Sequence, residues 1–295
     1  MYIFINIRRA RGKLRAALAL VGVLAVAAAG LAAWSSRTVG AYVNETGTRL
    51  PIIMYHSVVS DGTRPPNDYQ VTESQFERDL LYLSARGYQT VVIGDLIEYA
   101  GGSADLPDKP IMLTFDDGYL NNLTSAVPIM RAHGMRGVFS VVGAFIERAE
   151  RENDPSPAYA YMTWEAVREA QASGVVEIQN HSYNLHGDRG RRGFTKRAGE
   201  TQAAFQSSLI QDVSQMQQLL QLNLGKEATC FSYPFGFTYP DSAEMLKTLG
   251  FQAAMTCRER VNYLPQDPEA LYHLDRFNRS GLTSTERFMK KLGIE

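Results

Sequence analysis

Two adjacent carboxylates, Asp116 and Asp117, stand in the stretch TFDDGY (114–119), directly after the apolar run 110–113. Paired negative charge at the end of a buried strand is costly unless something compensates it. Asp-Asp-Gly is also a common turn sequence, and taken alone it reads as a turn. A cation beside the pair would relieve the repulsion and divide the labour. One carboxylate binds the ion, and the other remains as a base. Of the five histidines in the chain, His56, His181 and His186 fall at expected strand ends or just beyond. His181 and His186 lie five apart in NHSYNLH, a spacing that neither a strand nor a helix turns toward one point. A turn around Tyr183-Asn184 would do so. Two imidazoles and one carboxylate form a three-ligand set suited to zinc, with a fourth position open for water. The plainer reading is a surface loop with two unrelated histidines. A third stretch at a strand end, SYPFG (232–236), supplies aromatic side chains.

These residues need a scaffold that brings strand ends together. From Leu50 onward, strand and helix signals alternate without internal repeats. Apolar runs predict strands over 51–55, 111–115, 137–143, 175–180, 229–236 and 251–257, with a strand and turn in 89–96. Helical spacing of Phe76, Leu80, Leu81 and Leu83 predicts a helix over 73–86. Further helices are expected over 121–133, 163–174, 200–222 and 241–250, and an acidic, flexible segment after 143 through Pro157. Continuous apolar strands separated by helices imply a parallel sheet covered on both faces, as a barrel or a doubly wound sheet. Either architecture builds its site at the carboxyl ends of the strands, where the carboxylates and histidines fall.

Composition bounds the rest. The chain has 295 residues, 45% hydrophobic and 21% charged, with net charge -1. That suffices for one large domain or two small ones and gives no electrostatic case for a nucleic-acid partner. Cys230 and Cys257 are too few and too far apart for a zinc knuckle or a disulfide scaffold, and would pair only in an oxidising compartment. Arg8, Arg9, Arg11, Lys13 and Arg15 precede an uncharged run over 16–34. A basic flank before such a run reads as a membrane anchor or a signal segment, and places the remainder across the membrane. The expected organisation is a short basic tail (1–15), the anchor or signal segment (16–34), a linker (35–49) and the main domain (50–295). The main domain is expected to be exported: anchored in the inner membrane facing the periplasm or cell exterior, or secreted if the segment is cleaved.

LTFDDGY, NHSYNLH and SYPFG, in this order, resemble the motifs of the polysaccharide deacetylases, the NodB-homology carbohydrate esterases of family four. PIIMYHSV, GVFSVVG and EMLKTLGFQAAMTC fit the same family, so the resemblance spans about residues 50–281. It implies an α/β fold, a distorted (β/α) barrel of about seven units. The implied reaction is hydrolysis of N-acetyl groups on an N-acetylhexosamine polysaccharide, whether exopolysaccharide, peptidoglycan or chitin-like. It also implies a divalent metal, usually zinc, held by Asp117, His181 and His186, with Asp116 as general base toward metal-activated water. The five-residue histidine spacing resembles the branch acting on poly-N-acetylglucosamine-type exopolysaccharides.

Other roles follow from the same likeness. The backbone N–H of Tyr119 is expected to stabilise the oxyanion, His56 to line the site, and Tyr233, Pro234 and Phe235 to form a wall of the sugar groove. The family's third motif usually carries an arginine that steadies the base, and Ser232 stands there instead. Arg276 or Arg279, in DRFNR, are the candidates to replace it. His273 is the only late histidine available as a catalytic acid, and its context favours an ordinary strand residue. These departures leave two alternatives open: an O-acetyl esterase on a xylan-like polymer, and a catalytically weak glycan-binding barrel.

Overall fold

The computed structural model describes residues 47–152, 156, 158–187 and 191–295. The expected basic tail, the anchor or signal segment and most of the linker lie outside the described residues. Among the described residues, no helix is long and apolar enough to cross a membrane.

Apolar runs too short for helices form the strands β1 (Ile52–Tyr55), β2 (Pro110–Phe115), β3 (Gly137–Val141), β4 (Val176–Asn180), β5 (Cys230–Ser232), β6 (Ala253–Met255) and β7 (Phe277–Asn278). Neighbours pair in parallel in the order β6-β5-β4-β3-β2-β1-β7. Both faces are buried, which is why the strands read as near-continuous apolar runs. Alternate residues divide between two cores. Ile53, Leu113, Phe115, Phe139, Ile178 and Phe231 pack toward the helices. Ile52, Met112, Val138, Cys230 and Ala253 fill the inside of the curled sheet.

The curl is closed by one stretch of chain. The N–H of Leu274 donates to Ala254 O (3.0 Å), and Thr256 N–H donates to Leu274 O (2.8 Å), which ties the stretch to β6. Three residues on, Phe277 stands opposite Ile53 of β1. Residues 274–279 therefore bridge the two free edges, and the expected distorted barrel of about seven units is the architecture found.

Helix α1 (Glu73–Ser84) starts at a capping box in which Thr72 Oγ1 accepts from Gln75 N–H and the Gln75 side chain accepts from Thr72 N–H. It buries Phe76, Leu80 and Leu83, whereas Leu81, expected on the same stripe, is 51% exposed. The inward position that completes the stripe is Asp79. The segment expected as strand and turn over 89–96 keeps only Gln89–Thr90 as strand and then forms α2 (Ile93–Ala100), because Asp95 caps the N–H of Val92. The single helix expected over 121–133 is a π turn, Asn122–Ala126, followed by α3 (Val127–Ala132). The segment expected to be flexible after residue 143 begins with α4 (Gly143–Glu152), whose narrow apolar stripe is Ile146 and Ala149. Then come α5 (Trp164–Ala172), α6 (Gln202–Leu224), α7 (Ser242–Thr248) and α8 (Thr285–Lys291). Cys230 and Cys257 are both free thiols.

Candidate active site

Consecutive side chains on a strand point to opposite sides, so Asp116 and Asp117 could not both face one cleft if β2 simply continued. It does not. Asp117 takes φ 72° and Gly118 takes φ 74°, and this left-handed pair turns both carboxylates into the same cleft. Glycine suits position 118 on two counts, since its φ is left-handed and a Cβ there would stand 3.2 Å from Val141 Cγ1, a tight contact. Among the described residues the non-glycine positions with positive φ are Asp117, Ser182 and Phe235, each in the cleft or next to a residue that lines it. Such conformations cost about 1–3 kcal/mol each and persist where the surroundings over-determine them.

The cleft has a volume of about 570 Å³ and opens at the carboxyl ends of the strands. Asp116 is 2% exposed, and Arg276, at 0%, grips it as a fork: Nη1 donates to Oδ1 (2.7 Å) and Nη2 to Oδ2 (2.8 Å). The guanidinium is itself fixed by donating Nε to Thr256 O (3.0 Å) and Nη1 to Thr114 Oγ1 (3.2 Å). Burial raises the Asp116 carboxyl pKa, but the Arg276 charge and its hydrogen bonds override it and hold the group well below the usual carboxylate range. The forked arginine on Asp116 thus comes from the closing stretch, and SYPFG supplies none. Ser232 turns its hydroxyl to Ser140 Oγ (2.7 Å) inside the barrel.

His181 donates Nδ1–H to the carbonyl of Ser232 (2.7 Å), which fixes the tautomer and leaves Nε2 facing the carboxylates. That Nε2 lies 3.6 Å from Asp117 Oδ1 and 3.9 Å from Asp116 Oδ2. Burial lowers the His181 pKa to about 4, so the ring is neutral at pH 7, the form that binds a metal. His186 Nε2 lies 3.3 Å from the same Asp117 Oδ1. Its ring is stacked on Phe235, with centroids 4.3 Å apart. Asp117 Oδ1 is buried and has no hydrogen-bond partner. A buried carboxylate oxygen left unpaired between two imidazole nitrogens is a costly arrangement for the bare protein and a fitting one for a divalent ion. The three ligand atoms lie within 4.8 Å of one another. The set suits zinc and several other divalent metals.

Around this centre, Tyr119, His56 and Phe235 line the cleft, as expected. His56 leaves β1 and is held by its backbone, since Asn122 Nδ2 donates to His56 O (2.8 Å). Burial lowers the His56 pKa, partly offset by Asp117 and Asp116. Two expectations need correction. Tyr233 and Pro234 do not wall the cleft. Phe231 and Tyr233 share the outer face of the sheet by the period of two, and Tyr233 packs edge-on against Phe194 at 5.1 Å. Arg276 is not a lining residue either but a buried support beneath Asp116. Arg279 pairs with Asp79 elsewhere, and His273 is exposed and outside the cleft.

The aromatic side chains that line the cleft are Tyr69, Tyr119, Tyr159 and Phe235, and a row of rings from separate elements backs Tyr119 and His186. Tyr119 stacks on Tyr161 (5.0 Å), Tyr161 on Phe145 (4.4 Å), and Phe145 meets His186 edge-on (5.8 Å). Sequence reasoning missed this row because Phe145 lies in the helix read as a flexible segment. It also missed Asp212, whose charge interrupts the apolar spacing of Phe205, Leu209, Val213 and Met216 on α6.

The family model described as polysaccharide deacetylase matches residues 103–254, about half the chain. A poly-beta-1,6-N-acetyl-D-glucosamine N-deacetylase of Escherichia coli K12 is 28% identical over 223 residues, covering 69% of this chain and 33% of that protein. The chain thus spans about a third of the length of that relative. A de-N-acetylase from Aggregatibacter actinomycetemcomitans superposes with TM-score 0.69 at 23% identity, over 82% of this chain and 99% of the other. IcaB from Ammonifex degensii superposes with TM-score 0.68 at 24% identity, over 84% and 98%. Those two structures share the fold, and the sequence match, reached independently of it, makes this chain a member of the polysaccharide deacetylase family.

Proposed function

We propose that this chain is a hydrolase that removes N-acetyl groups from an N-acetylhexosamine polymer, of the poly-β-1,6-N-acetylglucosamine kind named for the Escherichia coli relative. The observation that carries the reading is the buried, unpartnered Asp117 Oδ1 between His181 and His186, beside a carboxylate gripped by an arginine. Asp117, His181 and His186 would hold a divalent metal, zinc by preference. Such an ion supplies Lewis-acid polarisation of a carbonyl and acidifies water.

The chain's own residues do the remainder. Arg276 keeps Asp116 ionised and occupies one lone pair on each oxygen, leaving the others to accept the proton of the attacking water. Tyr119 N–H donates to no backbone carbonyl among the described residues and is offered to the developing oxyanion. The departing amine needs a proton. Asp116 carries one once it has taken it from the attacking water, and can return it to the amine; His56 lines the same cleft, its Nδ1 without a partner. Phe235 and the row of Tyr119, Tyr161 and Phe145 stiffen the histidine side of the cleft. The missing third-motif arginine favoured a weak glycan-binding barrel, and the Arg276 fork removes that ground.

Acetate release from β-1,6-linked N-acetylglucosamine oligomers and from O-acetylated xylan, before and after chelation, tests this reading. Release from the amide substrate that chelator abolishes and zinc restores is expected. Preference for the ester would favour the esterase alternative, and release indifferent to chelator would remove the metal from the account. We propose further that the domain works outside the cytosol, on the strength of the basic flank and uncharged run over 8–34. A reporter fused after residue 295 that is active only when exported should be active, and an inactive one contradicts the proposal.

A further inference from the structure

Two histidines five residues apart meet at one point only if the loop between them is held. Each N–H between them ends on a side chain. Ser182 N–H donates to Asn180 Oδ1 (2.7 Å), and Leu185 N–H donates to Ser182 Oγ (3.1 Å). The middle two converge on a single carboxylate: Tyr183 N–H donates to Asp212 Oδ1 (2.8 Å) and Asn184 N–H to Asp212 Oδ2 (2.9 Å). On the other side, the carbonyls of Ser182 and Tyr183 accept from the N–H groups of Gly143 and Ala144 (3.1 and 2.7 Å). Contact there is close, since a Cβ on Gly143 would lie 2.6 Å from Tyr183 Cδ2. The loop is clasped between the first turn of α4 and the middle of α6.

Asp212 is half-buried, one residue before buried Val213 and three after buried Leu209. Burial pushes its carboxyl up to about 6, against the pull of the two backbone donors. A charge placed there has a cost that its two hydrogen bonds must offset. An apolar residue would have served packing better, whereas a carboxylate offers one oxygen to each of two successive N–H groups.

We propose that Asp212 is a positioning residue for the metal-binding histidines: by clasping Tyr183 and Asn184 it sets how the two imidazoles converge, and so the metal affinity of the site. This rests on reading Asp117, His181 and His186 as ligands. Removing a partner that orients ligands typically weakens metal binding by about 10–100-fold. Asp212→Asn keeps the side-chain shape but turns one acceptor into a donor facing an N–H.

The test is zinc affinity of the full chain at pH 8, with zinc alone and a competing chelator, for wild type and Asp212→Asn. Affinity about 10–100-fold weaker in the variant is expected, with the metal-free urea midpoints of both proteins measured alongside. Equal affinity overturns the inference while leaving the ligand reading intact, and no zinc binding by wild type overturns both. If Asp212→Asn does not fold, hydrogen exchange in wild type decides. Protected Tyr183 and Asn184 amides support the clasp, and exchange at the rate of a free loop overturns it.

Discussion

The closing stretch carries two arginines three residues apart, and both make forked pairs with buried aspartates. Odd spacing on an extended chain sends them to opposite sides, Arg276 to the mouth of the barrel and Arg279 to the layer between sheet and helices. Arg279 donates Nε and Nη2 to Asp79 (2.7 and 3.1 Å), while the hydroxyls of Tyr55 (2.9 Å) and Thr285 (2.6 Å) fill the remaining positions. Each Asp79 oxygen thus accepts two bonds, close to the limit of a carboxylate. Asp116 accepts two bonds from its arginine, and its remaining lone pairs face the cleft. The same pair of residue types is closed in one place and half-open in the other. Saturation makes the first a strut, and the unsatisfied half of the second is what the proposed chemistry would use.

Arg276→Met attacks the half-open pair and has the largest expected effect. Acetate release should fall by about 10²–10⁴-fold, the usual worth of a positioned base. The sign of the pH effect is also fixed. In wild type the Asp116 pKa lies below its unfolded value, so its contribution is present above pH ~4 and lost as pH falls through the folded value. Without the guanidinium, burial raises that pKa instead, so Arg276→Met should lose stability as pH rises from 4 to 7. Urea midpoints across that range read it, and parallel curves for the two proteins would break the comparison.

Arg279→Met strikes the closed pair. It leaves a buried charge without its partner, at a cost of about 3–5 kcal/mol in unfolding free energy. Protein that remains folded should keep its turnover within a few-fold. A loss of turnover as large as that of Arg276→Met would mean the two pairs are not separable. Thr285→Val removes one donor from the same aspartate, and about 1.5–3 kcal/mol is expected for a hydrogen bond to a charged group. An unchanged urea midpoint would show that Asp79 does not depend on saturation.

The difference between the pairs also marks what could be read from sequence. Strand ends were legible because apolar runs such as 110–115 stop abruptly at polar residues, and Asp116, Asp117, His181 and His186 sit at those stops. Both arginines were visible, but which one replaces the third-motif arginine depends on how 274–279 closes the sheet, a contact with β6 and β1 that no local pattern encodes. Tyr233 stays out of the cleft because the strand period runs on through the start of SYPFG. Phe231 and Tyr233 share the outward face, and the turn at Phe235, with φ 59°, is what redirects the next aromatic to His186. Helix α4 was missed because its buried stripe is only Ile146 and Ala149 amid charged residues. Asp212 left a trace, a charge on a core-facing stripe, but its partners are backbone N–H groups of a distant loop.

The central claim is that Asp116 reacts and Asp79 only supports. It is tested most directly by acetate release from β-1,6-linked N-acetylglucosamine oligomers with zinc, comparing Asp116→Asn and Asp79→Asn at equal folded fraction. The account predicts a loss of about 10²-fold or more for Asp116→Asn and a change within a few-fold for Asp79→Asn. Wild-type release by Asp116→Asn would contradict it.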